Sequence, residues 1–239
     1  MTAPEWAGRV RFGDTWAGYV GPAGDQNAHA HAAVQITLAL EGSVTLSSDS
    51  GELKGRAIWL NALYRHRLTP TERTVGLLYI DASSGTGRWL RERFADAGWA
   101  HLPDALAGDL LASSEPREWV ALLEAQSPAA APLDPRLRQA LTHVQRDIGP
   151  GAIAEAARAA GISEARLRTL ARKSIGMPIT QWRLWRKLER SALALAAGAS
   201  LADAAHDGGF ADQAHLNRTL RRMFGITPRV AGSTLNRGA

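Results

Sequence analysis

The chain has 239 residues, 45% hydrophobic and 21% charged, a globular balance with room for one or two domains. Its net charge of +5 is unevenly spread: residues 1–134 carry 11 Lys and Arg against 16 Asp and Glu, and residues 135–239 carry 17 against 7, which points to an anionic partner such as nucleic acid for the second half only. There is no cysteine, which excludes disulfide scaffolds, thiol nucleophiles and zinc–thiolate sites. The first 30 residues hold no apolar run behind a basic start, and no apolar run approaches ~18–20 residues. Neither a signal peptide nor a membrane span is expected, and the expected location is the cytoplasm.

In chain order, Val34–Leu40, Ser43–Leu46, Ala57–Leu60 and Val75–Ile80 are short apolar or alternating runs, separated by Gly, Ser and Asp. That spacing predicts a small antiparallel barrel or sandwich. After Asp81 the period changes. Gly87–Gly98, Pro103–Ala112 and Pro116–Ala125 predict helices, with Pro103 and Pro116 near helix starts. Residues 126–135 contain three prolines and little to bury, so a linker is expected at 127–134.

From Pro135 onward the sequence reads as helix broken by glycines, and the breaks repeat. Ala156–Ile162 lies over Ala204–Phe210 at an offset of 48, and Leu167–Gly176 over Leu216–Gly225 at 49. A tandem duplication follows, each copy a short helix, a glycine turn and a longer basic helix, the pattern of a helix-turn-helix. The basic faces are Arg166, Arg168, Arg172 and Lys173, then Arg218, Arg221 and Arg222. The opposite faces keep Leu167, Leu170 and Ile175, then Leu216, Leu220 and Phe224. A solvated basic face on a core helix explains one such pattern; two copies in one basic domain favour DNA. The connector Pro178–Ala197 spans about 30 Å as helix, close to the ~34 Å recurrence of major-groove faces on one side of duplex DNA. Trp182 and Trp185 are expected to pack between the two units.

The run SLADAAHDGGFADQAHLNRTLRRMFGITP, Ser200 to Pro228, resembles the signature of AraC/XylS-type transcriptional regulators over about 100 residues, connector included. The resemblance implies an all-α DNA-binding domain of two helix-turn-helix units. It places base-reading positions at Ala165, Arg166, Arg168 and Thr169, and at Gln213, Ala214, His215, Asn217 and Arg218. Arg suits guanine, and Gln or Asn suits adenine. Arg172, Lys173, Arg221 and Arg222 lie farther along and are assigned to phosphate.

In the first half, His29-x-His31, Gln35 and Gly42 resemble the first cupin motif, with Gln in the usual Glu position. Gly55, Trp59 and His66 resemble the second, without its usual proline. The resemblance implies a cupin-like β-barrel in which His29, His31, Gln35 and His66 converge. Histidines at i and i+2 share one strand face and would enter one barrel mouth. Imidazoles with an amide oxygen suit Ni, Fe, Zn, Cu or Co better than Mg or Ca. A polar pocket without metal, or structural histidines, fits the same pattern. Trp59 and Tyr64 are candidates to line an effector pocket, and core packing is their simpler role. Trp89, Trp99 and Trp119 are expected to pack or to mediate dimerisation.

The expected architecture is α+β with two domains: a cupin-like sensor barrel at 1–83, a helical dimerisation subdomain at 84–126 and a tandem helix-turn-helix domain at 135–239. The expected function is sequence-specific binding of double-stranded DNA by a transcription regulator under a small-molecule or metal effector. A homodimer and contact with RNA polymerase are implied, and no catalysis is needed. The alternative is a cupin metalloenzyme, an oxygenase or isomerase, with a DNA-binding tail; Gln35 in place of a carboxylate leaves it no general base from the motif.

Overall fold

The computed structural model describes residues 4–95, 97–127 and 131–236. Of the expected linker, residues 128–130 lie outside that set. Among the described residues nine strands form the first part: β1 (Arg9–Phe12), β2 (Trp16–Ala23), β3 (Ala33–Ala39), β4 (Val44–Ser48), β5 (Gly51–Gly55), β6 (Ala57–Leu60), β7 (Arg67–Leu68), β8 (Thr71–Asp81) and β9 (Trp99–His101). They pair antiparallel in two sheets, β1-β2-β8-β3-β6-β9 and β5-β4-β7. The four expected runs are β3, β4, β6 and β8.

β3 is central and buried along its whole length. Its side chains alternate between two environments. Val34, Ile36 and Leu38 face a core shared with the helices, while Ala39 joins Leu46, Ile58, Leu60, Leu68 and Val75 in a second core between the sheets. β2 was illegible as a strand because Gly21 and Pro22 interrupt it; the ladder shifts register at Pro22/Ala23, where the chain bulges.

Helices α1 (Gly85–Arg93), α2 (Asp104–Leu111) and α3 (Pro116–Gln126) cover the outer face of the large sheet. The stretch 84–126 is not wholly helical. The helix expected to reach Gly98 stops at Arg93, and β9 returns to pair with β6. Gly98 makes that turn against the ring of Tyr64, where a Cβ would come within 2.1 Å. α3 sits close because Gly76 leaves space for Trp119, which is 1% exposed and packs in the core.

The rest is α4 (Pro135–Arg146), α5 (Ala152–Ala159), α6 (Glu164–Ile175), α7 (Ile179–Ala196), α8 (Leu201–Asp207), α9 (Gln213–Phe224) and α10 (Pro228–Asn236). The duplicated units are α5–α6 and α8–α9. Ser163 and Asp212 accept from the N–H of Arg166 and His215 at 3.2 and 2.6 Å, capping the two longer helices. Both helices end on left-handed glycines, Gly176 (φ 72°) and Gly225 (φ 68°), which occupy equivalent positions of the repeat. The connector α7 has 18 residues, about 27 Å long.

One expectation about α7 is overturned. Trp182 and Trp185 face the first domain. The indole N–H of Trp182 donates to Asp81 Oδ1 at the end of β8, at 3.1 Å. Trp185 lies against Tyr79 and His31. Sequence periodicity identified their buried face but carried no information on what buries it. No helix among the described residues is long and apolar enough to cross a membrane.

Candidate effector site and nucleic-acid interface

His29, His31 and His66 converge as expected. All three are 1–2% exposed, and their ligand-capable atoms lie within 4.8 Å of one another. A reciprocal pair of 2.9 Å backbone hydrogen bonds between His29 and His66 sets two of the rings side by side, and His31 O accepts from Leu63 N at 2.8 Å. Each Nδ1 meets a backbone carbonyl: His29 that of Asn27 (2.9 Å), His31 that of Ala33 (3.1 Å) and His66 that of Tyr64 (2.9 Å). Those carbonyls hold the proton on Nδ1 and leave the lone pair on Nε2, as in imidazoles that ligate metals.

Burial keeps the cluster neutral. It lowers His29 to about 3 and His31 to about 4, and it pulls His66 well down, with repulsion among the three rings adding to the effect on His29 and His66. Gln35 reaches His31 Nε2 at 2.7 Å and donates to Thr37 Oγ1 at 2.7 Å. If Nε2 carries the lone pair, Gln35 Oε1 opposite it is a second acceptor. That contact is satisfied by exchanging the amide O and N, or by a cation between the two atoms.

The donor set of three imidazole nitrogens and an amide oxygen therefore fits a borderline transition metal. Zinc–nitrogen bonds of about 2.1 Å place tetrahedral ligands about 3.4 Å apart, so the rings would close inward on binding.

The histidines do not open into a free barrel mouth. Phe224 of α9 stacks on His31 (ring centroids 6.0 Å apart, 27° between planes), Trp185 of α7 lies at 6.2 Å, and Tyr79 of β8 stands edge-on at 5.0 Å. Burial also raises the Tyr79 hydroxyl pKa. The N–H of Asn27 donates to Gly225 O at 3.0 Å, at the end of α9. The first unit docks in the same way: Arg91 of α1 donates to Ser174 O at 3.3 Å and packs on Gly176. Both long helices of the repeat thus end on the first domain. Asp81, 4% exposed, accepts from Trp182 and, at 3.2 Å, from Arg186.

On the outer side, Ala165, Arg166, Arg168, Thr169, Arg172 and Lys173 of α6 are exposed, as are Gln213, Ala214, Arg218, Arg221 and Arg222 of α9. His215 and Asn217 are half-buried, and His215 stands edge-on to Phe210 at 5.2 Å. Arg168 pairs with Glu164 at 2.5 Å, so reaching a base requires it to leave or share that partner.

Trp59 and Tyr64 lie elsewhere than expected. Gln35 pairs with Leu60 and Ile36 with Trp59, so Trp59 points away from Gln35, into the helical side, and stacks on Phe94 at 4.8 Å. The Tyr64 hydroxyl bonds Ser48 and Ser50 (3.0 and 2.6 Å), and only its carbonyl serves the histidines. A cavity of about 150 Å³ lies instead between the large sheet and the helix-turn-helix half, lined by neither residue. Asn27, Tyr79, Asp81 and Phe224 were missed; proximity to His29 and to the repeat's glycine was the only sequence signal for the first and last.

A family model described as a helix-turn-helix domain matches residues 156–231. Among solved structures, an apo lysine-to-alanine variant of ToxT from Vibrio cholerae strain SCE256 is 11% identical with a TM-score of 0.64, covering 94% of this chain and 99% of that one. Wild-type ToxT from the same strain, with an unsaturated fatty acid bound, is 11% identical with a TM-score of 0.61, covering 95% and 98%. ToxT from Vibrio cholerae O395 bound to (E)-4-(8-methylnaphthalen-1-yl)but-3-enoic acid is 11% identical with a TM-score of 0.60, covering 93% and 100%. Comparison with curated proteins gives no significant match. The likeness to ToxT establishes a shared two-domain α+β fold over nearly the whole chain. With the helix-turn-helix match over residues 156–231, the chain has a β-rich first domain followed by a helical domain that carries a helix-turn-helix domain.

Proposed function

We propose that the protein is a transcription regulator whose first domain holds an effector that sets how the two helix-turn-helix units meet DNA. One observation carries this reading: both recognition helices, α6 and α9, end in contact with the first domain, and α9 does so beside the histidine cluster. An occupant that binds one docking arrangement better than another shifts the population between them by that difference in affinity. The small molecules bound to ToxT support an effector role for a domain of this fold.

The effector favoured at the histidines is a divalent transition metal, held by Nε2 of His29, His31 and His66 with the amide oxygen of Gln35. What a bound ion supplies there is a cross-link between the segments before β3 and before β7. The chain's own groups do the rest. The three carbonyls fix the ring tautomers, and Phe224 reads the position of His31. The metalloenzyme alternative is weaker, because Phe224 and Trp185 cap the cluster and no carboxylate among the described residues joins it. The homodimer, the RNA polymerase contact and the individual base and phosphate contacts belong to this proposal and rest on the resemblance.

The test is selection of bound duplexes from a random DNA pool by the full chain, with EDTA and with added nickel or zinc. A recovered consensus whose affinity differs between the two conditions supports the proposal. Absence of any preferred sequence in either condition contradicts it.

A further inference from the structure

We propose that the cavity between the large sheet and the helix-turn-helix half is a second effector site, for a small aromatic amine. Its walls come from both domains. Trp16 and Tyr19 line it from β2, Trp185 and Leu188 from α7, and Phe224 from α9. At about 150 Å³ it matches a cavity that accepts one benzene-sized ring. An occupant would touch the sheet and the second recognition helix at once.

The charge of the site selects the ligand's polar end. Among the described residues Glu189 is the one carboxylate that lines the cavity, and no described Lys, Arg or His lines it. Behind it, Arg186 Nη1 is shared by two acids, Asp81 at 3.2 Å and Glu189 at 2.6 Å. Arg190 also acts on Glu189, but neither guanidinium lines the cavity, so the charged group that meets an occupant at this mostly apolar wall is the carboxylate. An ammonium pairs with Glu189 directly, and a carboxylate ligand meets it with no lining cation to answer the repulsion. Indole faces add attraction for a cation. Burial, with a contribution from Asp81, pushes the Glu189 carboxyl up to about 7 against the pull of Arg186 and Arg190. The acids bound to ToxT therefore have no matching cation in this cavity.

The test uses the full chain in EDTA, so that occupancy of the histidines does not enter. Three probes of one size are titrated: 2-phenylethylamine, 2-phenylethanol and phenylacetate. Binding is read by calorimetry and by the emission of the lining tryptophans. The amine is expected to bind at least about tenfold more tightly than phenylacetate, the effect of roughly one well-placed charge pair. Glu189→Gln should weaken the amine about tenfold and leave the alcohol within about twofold. Ala192→Phe, which fills the cavity from α7, should abolish binding of both. The proposal is overturned if phenylacetate binds as tightly as the amine or if no probe saturates. It is also overturned if the amine is indifferent to Glu189→Gln or still binds the Ala192→Phe variant. If Glu189→Gln does not fold, the probe ranking and Ala192→Phe decide. None of these outcomes bears on DNA selection or on metal binding, which are read separately.

Discussion

The main-chain N–H of Asn27 donates to Gly225 O at 3.0 Å, while Asn27 O accepts from His29 Nδ1 at 2.9 Å. One residue therefore joins the histidine cluster to the end of α9. A Cβ on Gly225 would lie 2.2 Å from Asn27 O, and the residue's φ of 68° is left-handed. Gly225→Ala should cost about 2–3 kcal/mol, combining the backbone penalty with the clash. The equivalent Gly176→Ala meets only the flexible Arg91 guanidinium and should cost nearer 1–2 kcal/mol. Urea unfolding of both variants checks the order; equal costs would mean that the Asn27 contact is not made.

Asp81 is the other tie between domains. Asp81→Ala leaves the Trp182 N–H without its buried acceptor and Arg186 with Glu189 alone, and should destabilise by about 1–3 kcal/mol. Asp81→Asn keeps an acceptor for the indole and should cost about half as much. Limited proteolysis should separate the two domains faster in Asp81→Ala than in the parent chain, and an unchanged rate would show that Asp81 does not hold the domains together.

Much of this was legible because it is local. The tandem repeat with its glycine breaks, and the His29/His31 pairing, follow from the local pattern of residue types. What lay hidden depends on partners far away in sequence. The parity that sends Trp59 away from Gln35 needs the β3–β6 register. The roles of Trp182, Trp185 and Phe224 need the docking of the two halves. β9 was missed because three residues ending a glycine break carry too little pattern to outweigh the helical run before them.

Acid stability follows from the buried groups of the metal-free protein. His29 and His31, at about 3 and 4, and His66, well lowered, stay neutral in the fold, whereas the unfolded chain takes up protons below about 6.5. Stability is therefore present above that value and falls as pH drops toward 4, by up to about 1.4 kcal/mol per pH unit for each histidine. Glu189, raised to about 7, acts oppositely: between about 7 and 4.5 the fold takes up a proton that the unfolded chain does not, so falling pH stabilises. Three groups outweigh one. Unfolding at pH 7.5, 6 and 5 should show net loss on acidification, steeper in Glu189→Gln and shallower in His29→Ala. A flat profile would contradict the buried neutral cluster.

The exposed arginines should separate by role. Arg221→Ala and Arg222→Ala should weaken all duplexes alike, each reducing the salt dependence of binding by about one counterion. Arg166→Ala should cost about 1–3 kcal/mol on the selected sequence and little on random DNA. Anisotropy titrations at several salt concentrations distinguish the two. A specificity loss on Arg221→Ala would reverse the assignment.

The most direct measurement is the affinity of the full chain for its selected duplex with EDTA and with saturating nickel or zinc, in the parent and in His29→Ala. The expected result is a change of at least about fivefold in the parent, the lower range of allosteric coupling, and none in His29→Ala. Equal affinities in the parent under both conditions, with metal shown to be bound, would contradict coupling between the histidine cluster and the recognition helices.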